Sequence, residues 1–299
     1  MNGPVVVTGA SGNVGGSVAR SLLAAGFDVR VAGSAPDKLE KALPGAQGVR
    51  LDMTDPSTFG PAVQGAAALF LVRPPAITRV GPTLNALVDV AVEAGVEHVV
   101  FSSVAGANTN RVVPHHRVET HLRAAPVDWT ILRPGFFAQN LADAYRTDIV
   151  EHGRIYLPAG QGRAAFIDAR DIGETVAVVL ADRDAHRGAG YTLTGPEALD
   201  FGQVAAVLSG ELGRLITYQP ATVLGYARHL RHRGLPVAQI LVQTLLHTGL
   251  RRGQAEVVDP TMERLLGSPG RTLEQYVRDY RTTWGATAHL ADPTWRKSR

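Results

Sequence analysis

Residues 5–26, VVVTGASGNVGGSVARSLLAAG, decide the fold of this chain, because a β-branched run leads through a glycine-rich turn directly into an amphipathic helix. Gly9, Gly12 and Gly15 let the backbone turn tightly and approach a pyrophosphate, whose charge then lies against amide groups at the helix N-terminus. The spacing predicts a phosphate-binding turn at the start of a dinucleotide-binding sheet. The alternative is a turn that serves only the packing of the strand against the helix.

This turn opens a regular alternation of strands and helices. Short apolar runs such as FDVRVAG, AALFLV and EHVVFSS alternate with helical patterns such as TLNALVDVAVEAG. The runs are apolar at nearly every position, as in a parallel sheet that helices cover on both faces. We predict an α/β fold, a doubly wound parallel sheet of the Rossmann type with a smaller, mostly helical C-terminal cap.

After Pro134 the alternation loosens. Short strands are predicted at GRIYLPAG and GYTLTGP, and helical patterns cover residues 202–250 and 261–284. The predicted boundaries are a dinucleotide-binding core at 1–135, with further strands from about 155–195, and a substrate-binding cap at 136–154 and 196–299.

Composition limits the class of protein. The chain has 299 residues, 45% of them hydrophobic, a net charge of +3 and no cysteine, which excludes disulfides, thiolate nucleophiles and cysteine-bound zinc. No signal peptide is recognisable and no apolar run approaches the ~20 residues that span a bilayer, so we expect a cytoplasmic protein with no membrane partner. The basic cluster RHLRHR at 228–233, with Arg251 and Arg252, lacks interleaved aromatic residues. We therefore expect a solvated helix face there and no nucleic-acid partner.

The end of the second predicted strand indicates which dinucleotide is bound. A protein that binds NAD usually carries a carboxylate there, about 20 residues after the glycines, for the ribose hydroxyls. Here Ser34 occupies that place, while Asp28 lies at the start of the strand and Asp37 lies beyond a proline. Ser34, Arg30 and Lys38 could instead donate hydrogen bonds to a 2′-phosphate. The pattern favours NADP, with NAD as the alternative.

Two acidic residues follow the third predicted strand. Asp52, with Met53 beside it, could accept a hydrogen bond from the adenine amino group, whereas Asp55 suits the N-cap of a helix. The predicted cofactor-binding residues up to this point are Gly9, Ser11, Gly12, Asn13, Val14, Gly15, Ser34, Lys38, Asp52 and Met53.

Several longer motifs carry a family resemblance. They are TGASGNVGG at the start, FSSVAGA after the fifth strand, VDWTILRPGFFAQNL, AAFIDARDIGETVAVVL and MERLLGSPGRTLEQYVRDYRTTW. With these motifs in this order, nearly the whole chain resembles the atypical short-chain dehydrogenase/reductases, specifically the NmrA-like group, and more distantly the isoflavone-reductase-like enzymes. The resemblance implies NADP binding. The NmrA-like group contains reductases, including a quinone oxidoreductase, alongside proteins that bind NADP and regulate a partner without turnover.

By this resemblance, the helix after FSSVAGA is where standard members of the superfamily carry a proton-donating tyrosine and, four residues later, a lysine. This chain has neither residue there. Ser103 corresponds to the catalytic serine, and His115 or His116 stands at the tyrosine position, with Glu119 and Thr120 four residues on. Alignment with the isoflavone-reductase-like branch instead places that branch's lone catalytic lysine at His115. The predicted catalytic residues are His115, Ser103 and His116.

The stretch PHHRVETHL at 114–122 supports a role for His115. Its proline suits the first position of a helix and places the imidazole beside unpaired amides and the positive end of the helix dipole, which favours the neutral ring. A neutral imidazole can donate a hydrogen bond to a carbonyl that receives hydride, or relay a proton, and Glu119 at i+4 could fix its tautomer. The alternative is a polar helix on which His115, His116 and His121 are exposed and Glu119 is a surface partner. The spacing matches no metal-ligand pattern, so we expect no metal.

Further contacts are expected where the later strands end, because open α/β sheets bind ligands at the carboxyl ends of their strands. Val72 and Arg73 end the fourth strand and should line the cofactor cleft, with Arg73 meeting a phosphate or only capping the turn. By resemblance, the residues after the sixth strand border the nicotinamide and then the substrate, although aromatic residues there can also serve ordinary packing. These are Pro134, Gly135 and Phe136 on the cofactor side and Phe137 and Asn140 on the substrate side.

The sequence supports two classes of function. The first is an NAD(P)H-dependent oxidoreductase that transfers hydride to a conjugated small molecule such as a quinone, enone, imine or azo compound, because conjugation spreads charge and lessens the need for acid catalysis. The alternative is a non-catalytic NADP(H)-binding redox sensor that acts on a protein partner. A nucleotide-sugar epimerase or dehydratase is disfavoured because it would need the tyrosine and lysine. The sequence makes no prediction of oligomeric state.

Overall fold

The computed structural model describes residues 2–285, which form two compact units. Within that range, unit 1 comprises residues 2–134, 169–193 and 261–268, and unit 2 comprises residues 135–168, 194–260 and 269–285. The predicted cap extends to residue 299, and its part from 286 onward lies outside the described residues.

Seven of the strands in the described residues form one parallel sheet in unit 1. In chain order the strands are β1 (Val5–Thr8), β2 (Val29–Gly33), β3 (Gln47–Arg50), β4 (Ala68–Val72), β5 (His98–Ser102), β6 (Asp128–Pro134), β7 (Phe136–Phe137), β8 (Arg154–Leu157), β9 (Arg163–Ile167), β10 (Ala189–Leu193), β11 (Ala198–Asp200) and β12 (Thr217–Pro220). The large sheet has the order β10-β6-β5-β4-β1-β2-β3, and each neighbouring pair is parallel.

The α-helices follow the strands in the alternation that the sequence predicts. In chain order they are α1 (Asn13–Ala24), α2 (Pro36–Ala42), α3 (Phe59–Val63), α4 (Ala86–Glu93), α5 (Pro114–Ala124), α6 (Arg146–His152), α7 (Ala169–Ala181), α8 (Arg183–His186), α9 (Phe201–Leu212), α10 (Val223–His232), α11 (Val237–Leu250), α12 (Thr261–Leu266) and α13 (Leu273–Asp279). Among the described residues, no helix combines the length and the apolarity that crossing a bilayer requires.

The strands of the large sheet are apolar because helices cover them. Val5, Val6 and Val7 of β1 are fully buried. Val6 belongs to an apolar cluster with side chains of α3, α4 and α5, while α1 contacts β1 and β4 and packs against α7. This arrangement confirms the predicted Rossmann-type sheet.

Of the strands expected from about 155–195, only β10 joins the large sheet. The chain reaches it through α7, and β10 then pairs in parallel with β6 at the edge of the sheet. β8 pairs instead with β12, and β9 pairs with β7 and β11. The sequence expectation differs here because β8 and β9 find their hydrogen-bonding partners among the strands of unit 2.

Unit 2 has its own hydrophobic core. Its helices α6, α9, α10, α11 and α13 pack with the two small sheets around buried aromatic side chains, including Phe201, Tyr276 and Trp284. The break before α13 is closed by a capping box in which Thr272 and Gln275 exchange side-chain and backbone hydrogen bonds. This unit corresponds to most of the helical region that the sequence predicts after Pro134.

Candidate active site

The glycine-rich turn joins β1 to α1 at the carboxyl edge of the large sheet. Gly9 adopts a φ of +65°, in the left-handed region that favours glycine, and its carbonyl accepts a hydrogen bond from the Gly12 amide at 2.9 Å. Gly12 is the N-cap of α1, which begins at Asn13. The turn therefore places the N-terminus of α1, with the positive end of its dipole, at this edge.

The three glycines of the turn differ in what a side chain would meet. A Cβ at Gly15 would lie 2.4 Å from the carbonyl oxygen of Gly9, and a Cβ at Gly9 would lie 2.5 Å from Cγ1 of Val72. A Cβ at Gly12 would make one ordinary contact among the described residues, at 3.4 Å from the Gly9 oxygen. The fold thus requires Gly9 and Gly15, whereas Gly12 leaves space beside the backbone. This geometry fits a pyrophosphate that approaches the turn closely.

Thr8 connects the turn to β4. Its hydroxyl donates a hydrogen bond to the Phe70 carbonyl at 3.1 Å and accepts one from the Val72 amide at 3.0 Å. The side chain of Val72, a predicted cofactor-lining residue, consequently lies against Gly9.

The predicted 2′-phosphate ligands at the end of β2 separate into two groups. Ser34 directly follows β2 and is exposed, and Lys38 is exposed on α2. Arg30 instead donates hydrogen bonds to the carbonyls of Ala62 at 3.2 Å and Gln64 at 2.9 Å. These carbonyls hold Nη1 of Arg30, and a role for Arg30 toward a 2′-phosphate stays a prediction.

The acidic residues after β3 make local hydrogen bonds. Asp52 accepts two hydrogen bonds from Thr54, from its hydroxyl at 2.7 Å and its amide at 2.9 Å, and these lower the pKa of Asp52. Met53 is half-buried beside it. Asp55 accepts a hydrogen bond from the Ser57 amide at 3.1 Å as the cap of a short 3-10 helix, which confirms the predicted N-cap.

Ser103 and Glu119 belong to a buried network with two arginines. Ser103 Oγ donates to Glu119 Oε1 at 2.6 Å, and Arg133 binds the same carboxylate through Nε at 3.0 Å and Nη2 at 2.9 Å. Arg123 adds a contact of 2.8 Å. Burial alone would raise the pKa of Glu119, but the hydrogen bonds from Arg133 and Ser103 lower it. The network ties α5 to the ends of β5 and β6 and engages the Ser103 hydroxyl hydrogen.

His115 is buried in the first turn of α5, with only 8% of its surface exposed. Its Nε2 accepts a hydrogen bond from Arg73 Nε at 3.2 Å, so Nδ1 carries the ring proton. The ring stacks on Phe101 with 6.2 Å between centroids. Burial, with the nearby charge of Arg73, lowers the pKa of His115 to about 4, so the ring is neutral at pH 7. Pro114 begins α5 as predicted.

Both expectations for Glu119 are corrected by these contacts. Glu119 is fully buried, so it is not a surface partner, and its carboxylate binds Ser103 and Arg133 rather than His115. Arg73 sets the tautomer of His115 instead. Arg73 Nη1 also donates hydrogen bonds to three carbonyls of the loop after β4. Of the two roles that the sequence allows for Arg73, phosphate binding and capping of the turn, this contact is the capping of the turn.

The other histidines of α5 have structural contacts. His116 Nδ1 lies 2.8 Å from the Ala107 carbonyl oxygen, to which it donates, and this bond holds the loop that leads into the helix. His121 is half-exposed and pairs with Asp89 at 2.7 Å. The exposed-helix alternative therefore describes His121 but not His115. Within residues 2–285 no three histidine, aspartate or glutamate side chains are grouped to hold a metal ion.

Four of the five residues predicted after the sixth strand belong to unit 2. Pro134 ends β6 in unit 1, and the chain enters unit 2 at the next residue, Gly135. Phe136 packs edge-on against Phe166 with 5.3 Å between ring centroids. Phe137 and Asn140 are half-buried. These contacts show a packing role for Phe136 within unit 2.

A buried polar group in unit 2 has no counterpart in the sequence predictions. The Tyr145 hydroxyl and His247 Nε2 are hydrogen-bonded, and the Tyr226 ring lies 5.3 Å from the His247 ring. Burial raises the pKa of Tyr145 and lowers that of His247 to about 4. Because 102 residues separate Tyr145 from His247, no local pattern in the sequence could have paired them.

Comparison with known proteins agrees with this fold. The NmrA-like family model matches residues 1–277. The NAD(P)H azoreductase of Xenophilus azovorans is 30% identical over 287 residues, which cover 94% of this chain and 99% of that protein. Quinone oxidoreductase 2 of Escherichia coli (strain K12) is 27% identical over 282 residues, covering 91% and 97%. The crystal structure of the NADPH-dependent quinone oxidoreductase QOR2 from Escherichia coli, complexed with NADPH, matches with a TM-score of 0.82 at 26% identity, covering 93% of this chain and 99% of that one. Because the family model spans almost the entire sequence, the chain belongs to the NmrA-like family.

Proposed function

We propose that this chain is an NAD(P)H-dependent oxidoreductase that reduces a conjugated small molecule of the quinone or azo class. Two relatives that match over more than 90% of both chains are named an azoreductase and a quinone oxidoreductase. A structure of similar fold and length was solved with NADPH.

The observation that carries the proposal is the open glycine-rich turn. A ligand can approach the backbone at Gly12, where a Cβ would meet no collision with any residue from 2 to 285. The residues that would hold the pyrophosphate against the N-terminus of α1 are Ser11, Gly12, Asn13, Val14 and Gly15. Ser34 and Lys38, both exposed at the end of β2, would donate to the 2′-phosphate of NADP. When bound, the nicotinamide supplies the hydride.

The groups of unit 1 that could donate a hydrogen bond or a proton to the substrate support a conjugated acceptor. The chain has three lysines, of which Lys38 and Lys41 lie on α2 and Lys297 lies outside the described residues. At the helix where a tyrosine and a lysine would act in standard relatives, His115 presents a neutral ring with its proton on Nδ1. That N–H can donate a hydrogen bond to an acceptor oxygen or nitrogen without the ring gaining charge. Acceptors that spread negative charge by conjugation need no stronger acid.

Fluorescence and absorbance of NADPH test the proposal in one cuvette. Purified protein is first titrated with NADPH, and quinones, azo dyes, enones and a simple ketone are then added while the absorbance of NADPH is followed. We expect saturable binding and consumption of NADPH with quinone or azo acceptors but not with the ketone. Tight binding without consumption of NADPH by any acceptor would contradict a reductase and support the redox sensor. Absence of binding would contradict both.

A further inference from the structure

The exposed apolar side chains of the described residues are concentrated in one part of unit 2. Nine of the eleven large aliphatic residues that are exposed in residues 2–285 lie between Val223 and Val258. The other two, Val112 and Leu215, lie elsewhere in the chain. Scattered exposed aliphatic residues are normal, but a contiguous patch of more than a few hundred Å² usually marks an interaction surface.

Most of these residues lie on α11. Its exposed side carries two rows at i, i+4 spacing, which form one continuous surface along the helix. We call this surface the α11 face, and its residues are Val237, Leu241 and Leu245 in one row and Ala238, Val242 and Leu246 in the other. The five larger side chains are 58–73% exposed. The opposite side of the helix, with Ile240, His247 and Leu250, is buried in the unit 2 core. Packing within unit 2 therefore leaves the α11 face uncovered.

The stretch of chain that contains α10 and α11 carries only positive charge up to the exposed Glu256. The chain contains 27 aspartates and glutamates, yet none of them lies between residues 212 and 255, where six arginines occur. Arg228 and Arg231 on α10 and Arg252 just after α11 are exposed, and their guanidiniums make no hydrogen bond or ion pair within residues 2–285. Helix α11 itself has no charged residue. An uncharged aliphatic helix is thus flanked along the chain by unpaired arginines.

An aliphatic surface with positive charge beside it distinguishes between three classes of partner: a second copy of the chain, a nucleic acid and a lipid bilayer. A symmetric contact between two copies would double the same excess of positive charge at one interface, and like charges repel. A nucleic acid would not use an aliphatic surface, because it is bound through stacking aromatics and phosphate contacts. An anionic bilayer satisfies both features, since acyl chains accept the aliphatic side chains and headgroups attract the arginines.

We propose that the α11 face binds the surface of an anionic lipid bilayer, with helix α11 lying in the interface and the flanking arginines contacting the headgroups. The sequence expectation of no membrane partner depends on the length needed to span a bilayer, which an interfacial helix does not require. The inference is independent of the proposed reductase activity, because it uses no residue of the glycine-rich turn or of α5.

Sedimentation with lipid vesicles tests the proposal without any cofactor. The full chain is mixed with vesicles of neutral phosphatidylcholine alone, or of phosphatidylcholine with about 30% of the anionic lipid phosphatidylglycerol. We expect binding to the anionic vesicles that weakens as salt is raised, and much weaker binding to the neutral ones. Equal binding to the two compositions, or no binding to either, would overturn the proposal.

Substitution of the aliphatic residues tests the contact with acyl chains. The double variant Leu241→Ser and Leu245→Ser should bind anionic vesicles about a hundredfold less tightly, at roughly tenfold for each leucine removed from the apolar phase. The matched control is Val112→Ser with Leu215→Ser, which removes two exposed aliphatic residues outside the patch and should bind like the unaltered chain. Equal losses in both variants would contradict a specific role for the α11 face.

Removal of the arginines tests the contact with headgroups. Replacement of Arg228, Arg231 and Arg252 by alanine should weaken binding to anionic vesicles about a hundredfold, at roughly fivefold for each charge, and should not change binding to neutral ones. The control removes the same charge from exposed arginines of unit 1, as Arg79→Ala, Arg111→Ala and Arg117→Ala. If the control loses as much binding, net charge rather than this surface controls the interaction. Absence of vesicle binding, together with a dimer in gel filtration that the Leu241→Ser and Leu245→Ser variant dissociates, would assign the α11 face to a second copy and overturn the lipid proposal.

Discussion

Substitution of Gly12 by alanine should separate binding of the dinucleotide from folding. Gly12 has φ −99° and ψ 176°, an extended conformation that alanine adopts readily. Its new methyl group would make an ordinary 3.4 Å contact with the Gly9 oxygen. Alanine is a poorer N-cap than glycine but also restricts the unfolded chain, and these effects oppose each other. We expect the free energy of unfolding to change by less than about 1 kcal/mol.

The same methyl group stands where the pyrophosphate would approach the amides of the turn. A hydrogen bond from an amide to a charged oxygen contributes about 1.5–3 kcal/mol, so the loss of two of them weakens binding by at least about a hundredfold. Gly15→Ala should behave differently, because its Cβ would lie 2.4 Å from a backbone oxygen that cannot move aside. We expect Gly15→Ala to destabilise the fold by about 1–3 kcal/mol or more.

NADPH fluorescence titration and urea denaturation of the same preparations distinguish these outcomes. Gly210→Ala on α9 is the matched control, because it is exposed and a Cβ there would meet nothing within 4 Å among the described residues. It should bind NADPH like the unaltered chain and be stabilised by up to about 1 kcal/mol. Unchanged NADPH affinity in a folded Gly12→Ala variant would show that the turn does not hold the pyrophosphate.

Three further predictions concern the buried polar groups. His115→Ala should lower turnover at least tenfold and leave NADPH affinity nearly unchanged. The control, His121→Ala on the exposed side of the same helix, should alter neither quantity. Equal turnover in both variants would remove His115 from the mechanism. Glu119→Ala should reduce the free energy of unfolding by about 3–5 kcal/mol, because it leaves a buried guanidinium without its carboxylate, and a loss below about 1 kcal/mol in urea denaturation would refute this. Burial lowers the pKa of His98, His115 and His247 to about 4, whereas in the unfolded chain the pKa of each imidazole is near 6.5. Between these pH values the unfolded state binds more protons than the folded state, so the free energy of unfolding should fall on acidification by up to about 1.4 kcal/mol per pH unit for each imidazole. A free energy of unfolding that does not change from pH 6.5 to 4.5 would contradict these pKa shifts.

The parts of the site that local patterns encode were predictable. The glycine spacing, the position of Pro114 at the start of α5 and the cap at Asp55 depend on residues within a few positions of each other, and the structure has them as expected. The partners of Glu119 were not predictable, because spacing along α5 suggests a neighbour one turn away whereas its main partner, Arg133, comes from β6. Such a pairing depends on which strand lies under the helix.

His115 and Glu119 lie one helical turn apart but bind different arginines, and this has a chemical consequence. Residues at i and i+4 of a helix can meet, yet the His115 ring bonds Arg73 from β4 while the Glu119 carboxylate bonds Arg133 from β6. A relay through the imidazole needs Nε2 to gain a proton as Nδ1 gives one up, but the group at Nε2 is a guanidinium, which has no proton to release at neutral pH. Without that exchange, loss of the Nδ1 proton would leave an imidazolate, so His115 can donate a hydrogen bond but cannot complete a proton transfer. If the proposed reductase is correct, the proton that follows the hydride comes from water, and only acceptors whose reduced anion is already stabilised by conjugation should turn over rapidly.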